Sequence, residues 1–259
     1  MEDWVDTLIE TLHRQKEGGG GVNDDDSPPF TSQETDQFAK ILGEIREGHS
    51  TDTFYFRHPC TIVVAGPSKC GKTCLVKSIL EHDYIQPSPE KVYWFFSEWQ
   101  DMYKELKDVG LVTDFFKGLD GDKIDRLTET DREVPKLLIL DDLQDETADN
   151  TLVADLFRRG SHHRNLSVIF ITQNIFFQGK KARNIAVNGN YYIIFKNPAD
   201  QRQIQDFASR IGNREFILNS FEEATCEPHG HLIFDFTQET DGNLRSGVPV
   251  QRIFKATDG

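Results

Sequence analysis

From Thr53 onward, apolar and polar positions fall into short runs that alternate between two periods. Ile62–Ala65, "KVYWFF" (Lys91–Phe96), "KLLILDD" (Lys136–Asp142), "LSVIFITQN" (Leu166–Asn174) and "NYYIIF" (Asn190–Phe195) are nearly unbroken apolar runs rich in β-branched and aromatic residues. Runs of that length and composition predict strands covered on both faces. "LVTDFF" (Leu111–Phe116) predicts a weaker one, and "GHLIFDF" (Gly230–Phe236) and "VPVQRIF" (Val248–Phe254) predict closing strands. Between them, Cys74–Leu80, "SEWQDMYKEL" (Ser97–Leu106), "LVADLF" (Leu152–Phe157, with Gly160 able to stop it) and the set Ile204, Phe207, Ala208, Ile211 place apolar residues at helical spacing. Strands alternating with helices predict an α/β domain over residues 53–259, its mostly parallel sheet covered by helices on both faces. Ligands of such sheets sit at the carboxyl ends of the strands.

Residues 1–52 break this pattern and read as a separate appendage. Trp4, Val5, Leu8, Ile9 and Leu12 recur at helical spacing, and a second short helix is expected around Phe38, Ile41, Leu42 and Ile45, with Thr31 and Glu34 at capping-box spacing before it. "KEGGGGVNDDDSPPF" (Lys16–Phe30) between them has too little apolar surface to fold and reads as a flexible acidic linker. The first helix could dock on the domain or on a partner, and a flexible linker favours the partner.

Composition narrows the class. The chain has 259 residues, four cysteines (Cys60, Cys70, Cys74, Cys226) without a CxxC pair, and no apolar run long enough to span a membrane. Reduced thiols and an intracellular protein are expected, without disulfides or a zinc site, and the acidic N-terminus does not read as a signal peptide. The net charge is −14, but residues 156–214 hold 10 bases against 2 acids. A basic block in an acidic chain keeps nucleic acid among the candidate partners, although a solvated face would give the same count.

The chemistry concentrates where Ile62–Ala65 ends. Gly66-Pro67-Ser68-Lys69-Cys70-Gly71-Lys72-Thr73 matches G-x-x-x-x-G-K-[ST], with a predicted strand before it and a helix after it. The glycines let the backbone curl so that its N–H groups face a phosphate. Lys72 would reach the β- and γ-phosphates of ATP, Thr73 would ligate Mg²⁺, and the helix N-terminus adds partial positive charge. Asp141, at the end of another apolar strand, fits the Walker B position and would hold Mg²⁺, while Asp142 could polarise a water. Gln173, within Thr172-Gln173-Asn174 at the end of the next strand, could orient that water or sense the γ-phosphate. A strand inserted between the P-loop and Walker B strands distinguishes ATPase motors from other P-loop proteins, and Leu166–Thr172 is the candidate. A GTPase would need D-x-x-G and N-K-x-D, whereas Asp141 is followed by "DLQ" and the nearest guanine-like motif is "NPAD" (Asn197–Asp200). A small-molecule kinase would need an arginine-rich lid, which the basic block could mimic.

"HPCTIVVAGPSKCGKT", "YWFFSEWQDMY", "FFKGL", "LLILDDLQDE", "RRGSHHRNLSVIFITQN" and "YIIFKNPADQRQI" together resemble the FtsK/HerA-type genome-packaging ATPases of poxviruses, other large DNA viruses and Polinton-type elements. "HGHLIFDFTQET" and "NLRSG" look like the closing strands of that family, and the resemblance runs from about Phe54 to Phe254. It implies a RecA-like ASCE core, a homo-oligomeric ring, and ATP-driven translocation of double-stranded DNA into a capsid. It further implies an intracellular site of action, in the host cytoplasm or nucleus wherever the virus assembles. It places Lys72 and Thr73 on nucleotide and magnesium, Asp141 and Asp142 in Walker B, and Gln173 as sensor. Asp142 departs from the Asp-Glu common in such motors and is one methylene shorter.

Two basic groups acquire expected roles from this setting. Lys180, Lys181 and Arg183 in "QGKKARN" follow the sensor strand without an intervening acid and suit contact with DNA phosphates. Arg159, then Arg164, ends a predicted helix just before the sensor strand and suits an arginine finger offered to the adjacent subunit. Two other functions use the same residues: an ATP-dependent assembly switch or scaffold, with the N-terminal helix docked on a capsid component, and a viral replication helicase.

Overall fold

The computed structural model describes residues 54–143, 156–157, 165–176, 188–238, 246–248 and 252–254. The expected N-terminal appendage lies outside them, as do Arg158, Arg159, Arg164, Lys180, Lys181 and Arg183. The strands are β1 (Phe56–Arg57), β2 (Thr61–Ala65), β3 (Ile85–Gln86), β4 (Lys91–Phe96), β5 (Asp114–Lys117), β6 (Lys136–Asp141), β7 (Leu166–Thr172), β8 (Tyr191–Phe195), β9 (His231–Asp235), β10 (Ser246–Val248) and β11 (Arg252–Phe254). The helices are α1 (Lys72–Glu81), α2 (Asp101–Asp108), α3 (Gly121–Glu129), α4 (Arg202–Ile211) and α5 (Arg214–Ala224).

Nine strands form one sheet in the order β11-β10-β9-β8-β2-β7-β6-β4-β5. From β8 to β5 every pairing is parallel, and β9, β10 and β11 add antiparallel pairings at the other edge. β1 and β3 pair separately. β7 lies between β2 and β6, the inserted strand expected of the ASCE class. The fold is a RecA-like P-loop fold.

Strand periodicity divides the core in two. Val63 and Ala65 of β2, Leu138 and Leu140 of β6, and Val168 and Phe170 of β7 face Ile124 of α3, Ile204 and Phe207 of α4, and Ile217 and Phe221 of α5. Their sequence neighbours Ile62, Val64, Leu137, Ile139, Ile169 and Ile171 face Val76 and Ile79 of α1 and Tyr103 and Leu106 of α2. Because side chains alternate across a strand, an unbroken apolar run is what two cores require.

Three expectations shift. The strand expected at Leu111 begins at Asp114, because Leu111 still completes the end of α2: its N–H bonds Leu106 O at 3.1 Å, Gly110 N–H bonds Lys107 O at 3.1 Å, and Gly110 has φ 74°. That is a Schellman ending, which a glycine enables. The segment Val248–Phe254 belongs to an antiparallel pair, with Ser246 opposite Phe254, and Pro249, unable to donate to a ladder, stands between the two strands. Helices α3 and α5 were not anticipated. α3 starts at Asp120, whose carboxylate accepts from Lys123 N–H at 3.0 Å, a cap legible in hindsight.

A buried polar chain ties β2 to β7 at their amino ends, away from the P-loop. Asn165 Nδ2 donates to Glu133 O at 2.9 Å, so its Oδ1 accepts from His58 Nε2 at 2.9 Å. His58 Nδ1 then accepts from the Ser167 hydroxyl at 2.7 Å, and Ser167 Oγ accepts the Cys60 N–H at 3.1 Å. Ser167 is fully buried, and burial lowers the His58 pKa, in the direction of the neutral ring that this chain uses. Ser167→Ala strands the Cys60 N–H and His58 Nδ1 without partners. Urea unfolding is expected to show a stability loss of about 1–3 kcal/mol with an unchanged m-value.

Candidate functional site

The carboxyl ends of the parallel strands gather the loop Gly66–Gly71 after β2, Asp141 at the tip of β6, Gln173 after β7 and Lys196 after β8. Register sets their level: Ala65 pairs with Thr172, and Ile171 with Asp141.

The loop is curled as the sequence requires. Lys69 has φ 63° and Gly71 φ 108°, so two left-handed positions reverse the chain before α1. Gly66 admits no side chain, since a Cβ there would lie 2.6 Å from Phe195 Cβ and 2.8 Å from Cys70 Sγ. Its N–H bonds Thr172 O at 3.2 Å, which joins the loop to the end of the sensor strand. Helix α1 begins at Lys72 with no side-chain cap and no acid in its first turn, an arrangement suited to an anion. Lys72 Nζ folds back on the loop, donating to Gly66 O at 2.7 Å and Pro67 O at 2.9 Å. Thr73 follows, half-buried in the first turn of α1.

Asp141 is buried, with 3% of its surface exposed. Burial pushes its carboxyl up to about 6; the Tyr103 hydroxyl, which donates to Oδ2 at 2.8 Å, pulls the other way, Asp142 adds to the rise, and Lys72 also opposes it. Tyr103, on α2, was not anticipated as a site residue. It is clamped by Trp94, Phe96, Trp99 and Phe115, with ring centroids 5.1–5.5 Å away. Trp94 Nε1 makes no hydrogen bond of normal geometry but lies within electrostatic reach of the Tyr103–Asp141 pair.

Asp142 separates from Asp141. It turns out of the strand at φ 54°, exposes its side chain, and accepts from Gln173 Nε2 at 3.3 Å. Lys72, Asp141, Asp142 and Gln173 are thus brought to one edge of the sheet. His229, in the turn after α5, was also not anticipated: its Nδ1 bonds Cys70 O at 2.9 Å. Tyr103 and His229 stand at the ends of two stretches that carry the family resemblance, "YWFFSEWQDMY" and "HGHLIFDFTQET", but nothing there marks either as a site residue, because each reaches the site through the fold.

Among the described residues no group of three or more His, Cys, Asp or Glu could hold a metal. A hydroxyl and a carboxylate, Thr73 and Asp141, fit Mg²⁺, which takes most of its oxygens from phosphate and water. A cavity of about 260 Å³ adjoins this edge, lined by Gly66, Gln173, Lys196, Asp200, Gln203 and Glu222 among others. It shares neither Lys72, Thr73 nor Asp141, so it lies beside the loop's concave side and does not contain it.

No family model and no curated protein matches the sequence. Solved structures do. The genome packaging NTPase B204 of Sulfolobus turreted icosahedral virus 2, in complex with ATP-gammaS, has TM-score 0.50 and 15% identity over 74% of this chain and 98% of that one. Its sulfate complex has TM-score 0.49 and 15% identity over 74% and 97%. The flagellar accessory protein FlaH of Methanocaldococcus jannaschii has TM-score 0.36 and 15% identity over 56% and 76%. At these identities the first likeness is one of fold, a RecA-like P-loop NTPase.

The burial of Asp141 has a measurable consequence. A carboxyl held above its ordinary value favours folding while protonated: that stability is fully present below about pH 4 and is lost as pH rises through about 6. Asp141→Asn removes the buried charge and keeps an acceptor for Tyr103. At pH 7.5 without metal its Tm is expected to exceed wild type by about 3–8 °C, and the gain is expected to vanish near pH 4. Differential scanning fluorimetry across that range checks it.

Proposed function

We propose that this chain is an ATP-hydrolysing motor that moves double-stranded DNA, a homo-oligomeric packaging ATPase acting inside the host cell at the site of virus assembly. The observation that carries the proposal is the placement of β7 between β2 and β6, which sets Gln173 against Asp142 one strand from the loop. The sequence resemblance to FtsK/HerA-type packaging ATPases and the shared fold with a viral genome packaging NTPase support it.

In this reading the loop amides and the start of α1 hold the phosphates of ATP. Lys72 leaves the Gly66 and Pro67 carbonyls for the β- and γ-phosphate oxygens, trading two neutral acceptors for charged ones. Thr73 and Asp141 would hold Mg²⁺, which would supply neutralisation of the phosphate charge. Tyr103 fixes Asp141 by donating its hydroxyl to Oδ2. Asp142 and Gln173, already hydrogen-bonded, orient the attacking water, and Asp142 accepts its proton. Arg159 or Arg164 of a neighbouring copy would complete the γ-phosphate site, and Lys180, Lys181 and Arg183 would track the DNA backbone. The N-terminal helix would dock a capsid component. No helix among the described residues is long and apolar enough to cross a membrane.

The test is ATP turnover with and without long duplex DNA. Wild type is expected to hydrolyse ATP and to do so several-fold faster with DNA. Asp142→Asn is expected to lose about 10²–10⁴-fold in turnover while retaining ATP and Mg²⁺ binding. Tight ATP binding by wild type without turnover under any DNA condition would replace the motor by an assembly switch.

A further inference from the structure

A phosphate cradle needs its amides turned in and its carbonyls turned out. An outward carbonyl held by a fixed donor is less free to flip than one that bonds only water. Besides the backbone bonds from Cys70 N–H to Pro67 O at 3.4 Å and from Leu75 N–H to Gly71 O at 2.9 Å, two side chains hold loop carbonyls here. Gly66 O and Pro67 O are held by Lys72, which the proposed function takes away when nucleotide binds. Cys70 O is held from outside the loop by His229, 159 residues away in sequence. A carbonyl only accepts, so Nδ1 of His229 carries the proton.

The turn bearing His229 is built to this contact. His229 sits at φ 63°, and its ring covers the face of Gly71: a Cβ on Gly71 would lie 3.3 Å from Nδ1 and 3.6 Å from the His229 Cβ. Gly230 follows with no room for a side chain, its Cβ position being 2.6 Å from Ala224 O and 2.7 Å from Thr225 Cα, so the turn is pressed onto the end of α5. His231, opening β9, packs its ring 4.9 Å from Phe195, the residue that closes the space beside Gly66. Residues 229–231 therefore brace both ends of the loop, Cys70–Gly71 directly and Gly66 through Phe195.

We propose that His229 is a positioning residue of the phosphate loop: it holds the Cys70 carbonyl outward so that the adjacent amides stay directed at the nucleotide after Lys72 has left its own carbonyls. This rests on the reading of Gly66–Thr73 as the nucleotide site. It also ties the loop to β9 and the antiparallel edge, so that movement of that edge would be felt as a change in nucleotide affinity.

The test measures the Kd of a fluorescent ATP analogue for the full chain, with thermal stability recorded alongside. His229→Gly removes the donor without strain at φ 63°. His229→Asn tolerates that φ and places an amide N–H where Nδ1 lies. Lys72→Ala reports on the site itself. His229→Gly is expected to bind about tenfold more weakly, the size of one lost hydrogen bond, and His229→Asn to return to within about threefold of wild type. If His229→Gly binds like wild type while Lys72→Ala does not, the site stands and the role of His229 falls. Equal weakening in both His229 variants, in step with lowered Tm, also overturns it, since the effect would then be one of folding. If Lys72→Ala binds like wild type, the loop is not the nucleotide site and both readings fall together.

Discussion

The parallel pairing of β2 with β7 is the constraint from which the site follows. It sets Ala65 level with Thr172, and through the next pairing Ile171 level with Asp141. Once those registers hold, the loop that leaves β2, the acids that end β6 and the amide that follows β7 meet at one edge without further instruction. A slip of one residue would turn every side chain of β7 to the opposite core. The polar chain from Asn165 through His58 and Ser167 to the Cys60 N–H secures the same pairing at its other end. The end remote from the chemistry thus keeps the chemical end aligned.

That edge is not arranged for stability. Asp141 is a carboxylate out of water, supported by one tyrosine hydroxyl in an aromatic surround and by the nearby charge of Lys72. A lysine that satisfies loop carbonyls and an acid held above its usual range are both improved by a bound anion and cation. Such electrostatics fit the proposed reading, in which the charged partners arrive from outside.

Much of this was legible in the sequence because parallel strands buried on both faces write themselves as continuous apolar runs. Lys91–Phe96 and the end of Leu166–Thr172 fall where the pattern sets them, and the inserted position expected for β7 holds. Lys72 could be picked out from the G-x-x-x-x-G-K-[ST] spacing, and Asp141, Asp142 and Gln173 because each sits at the end of such a run. What escaped was tertiary. Tyr103 reads as one apolar residue of an amphipathic helix until the packing of α2 aims its hydroxyl at Asp141. His229 opens a stretch that reads only as a closing strand, and only the fold brings it to Cys70. Helix α3 is rich in charge and buries only Ile124 and Thr128, too few positions to carry a period, whereas α5 buries Ile217, Ser220 and Phe221 at helical spacing, a period that could have been read. The boundary at Leu111 went astray because a Schellman ending, not strand propensity, governs the backbone there.

The central claim is that Gly66–Thr73 and Asp141 form one nucleotide–magnesium site. The most direct measurement is a crystal structure of the protein with Mg²⁺ and a non-hydrolysable ATP analogue. The account predicts Lys72 Nζ moved from the Gly66 and Pro67 carbonyls to phosphate oxygens, Thr73 and Asp141 beside the metal, Tyr103 still on Asp141 Oδ2, and Asp142 with Gln173 facing the γ-phosphate. Nucleotide bound elsewhere, with Lys72 still folded onto its own loop, would contradict it.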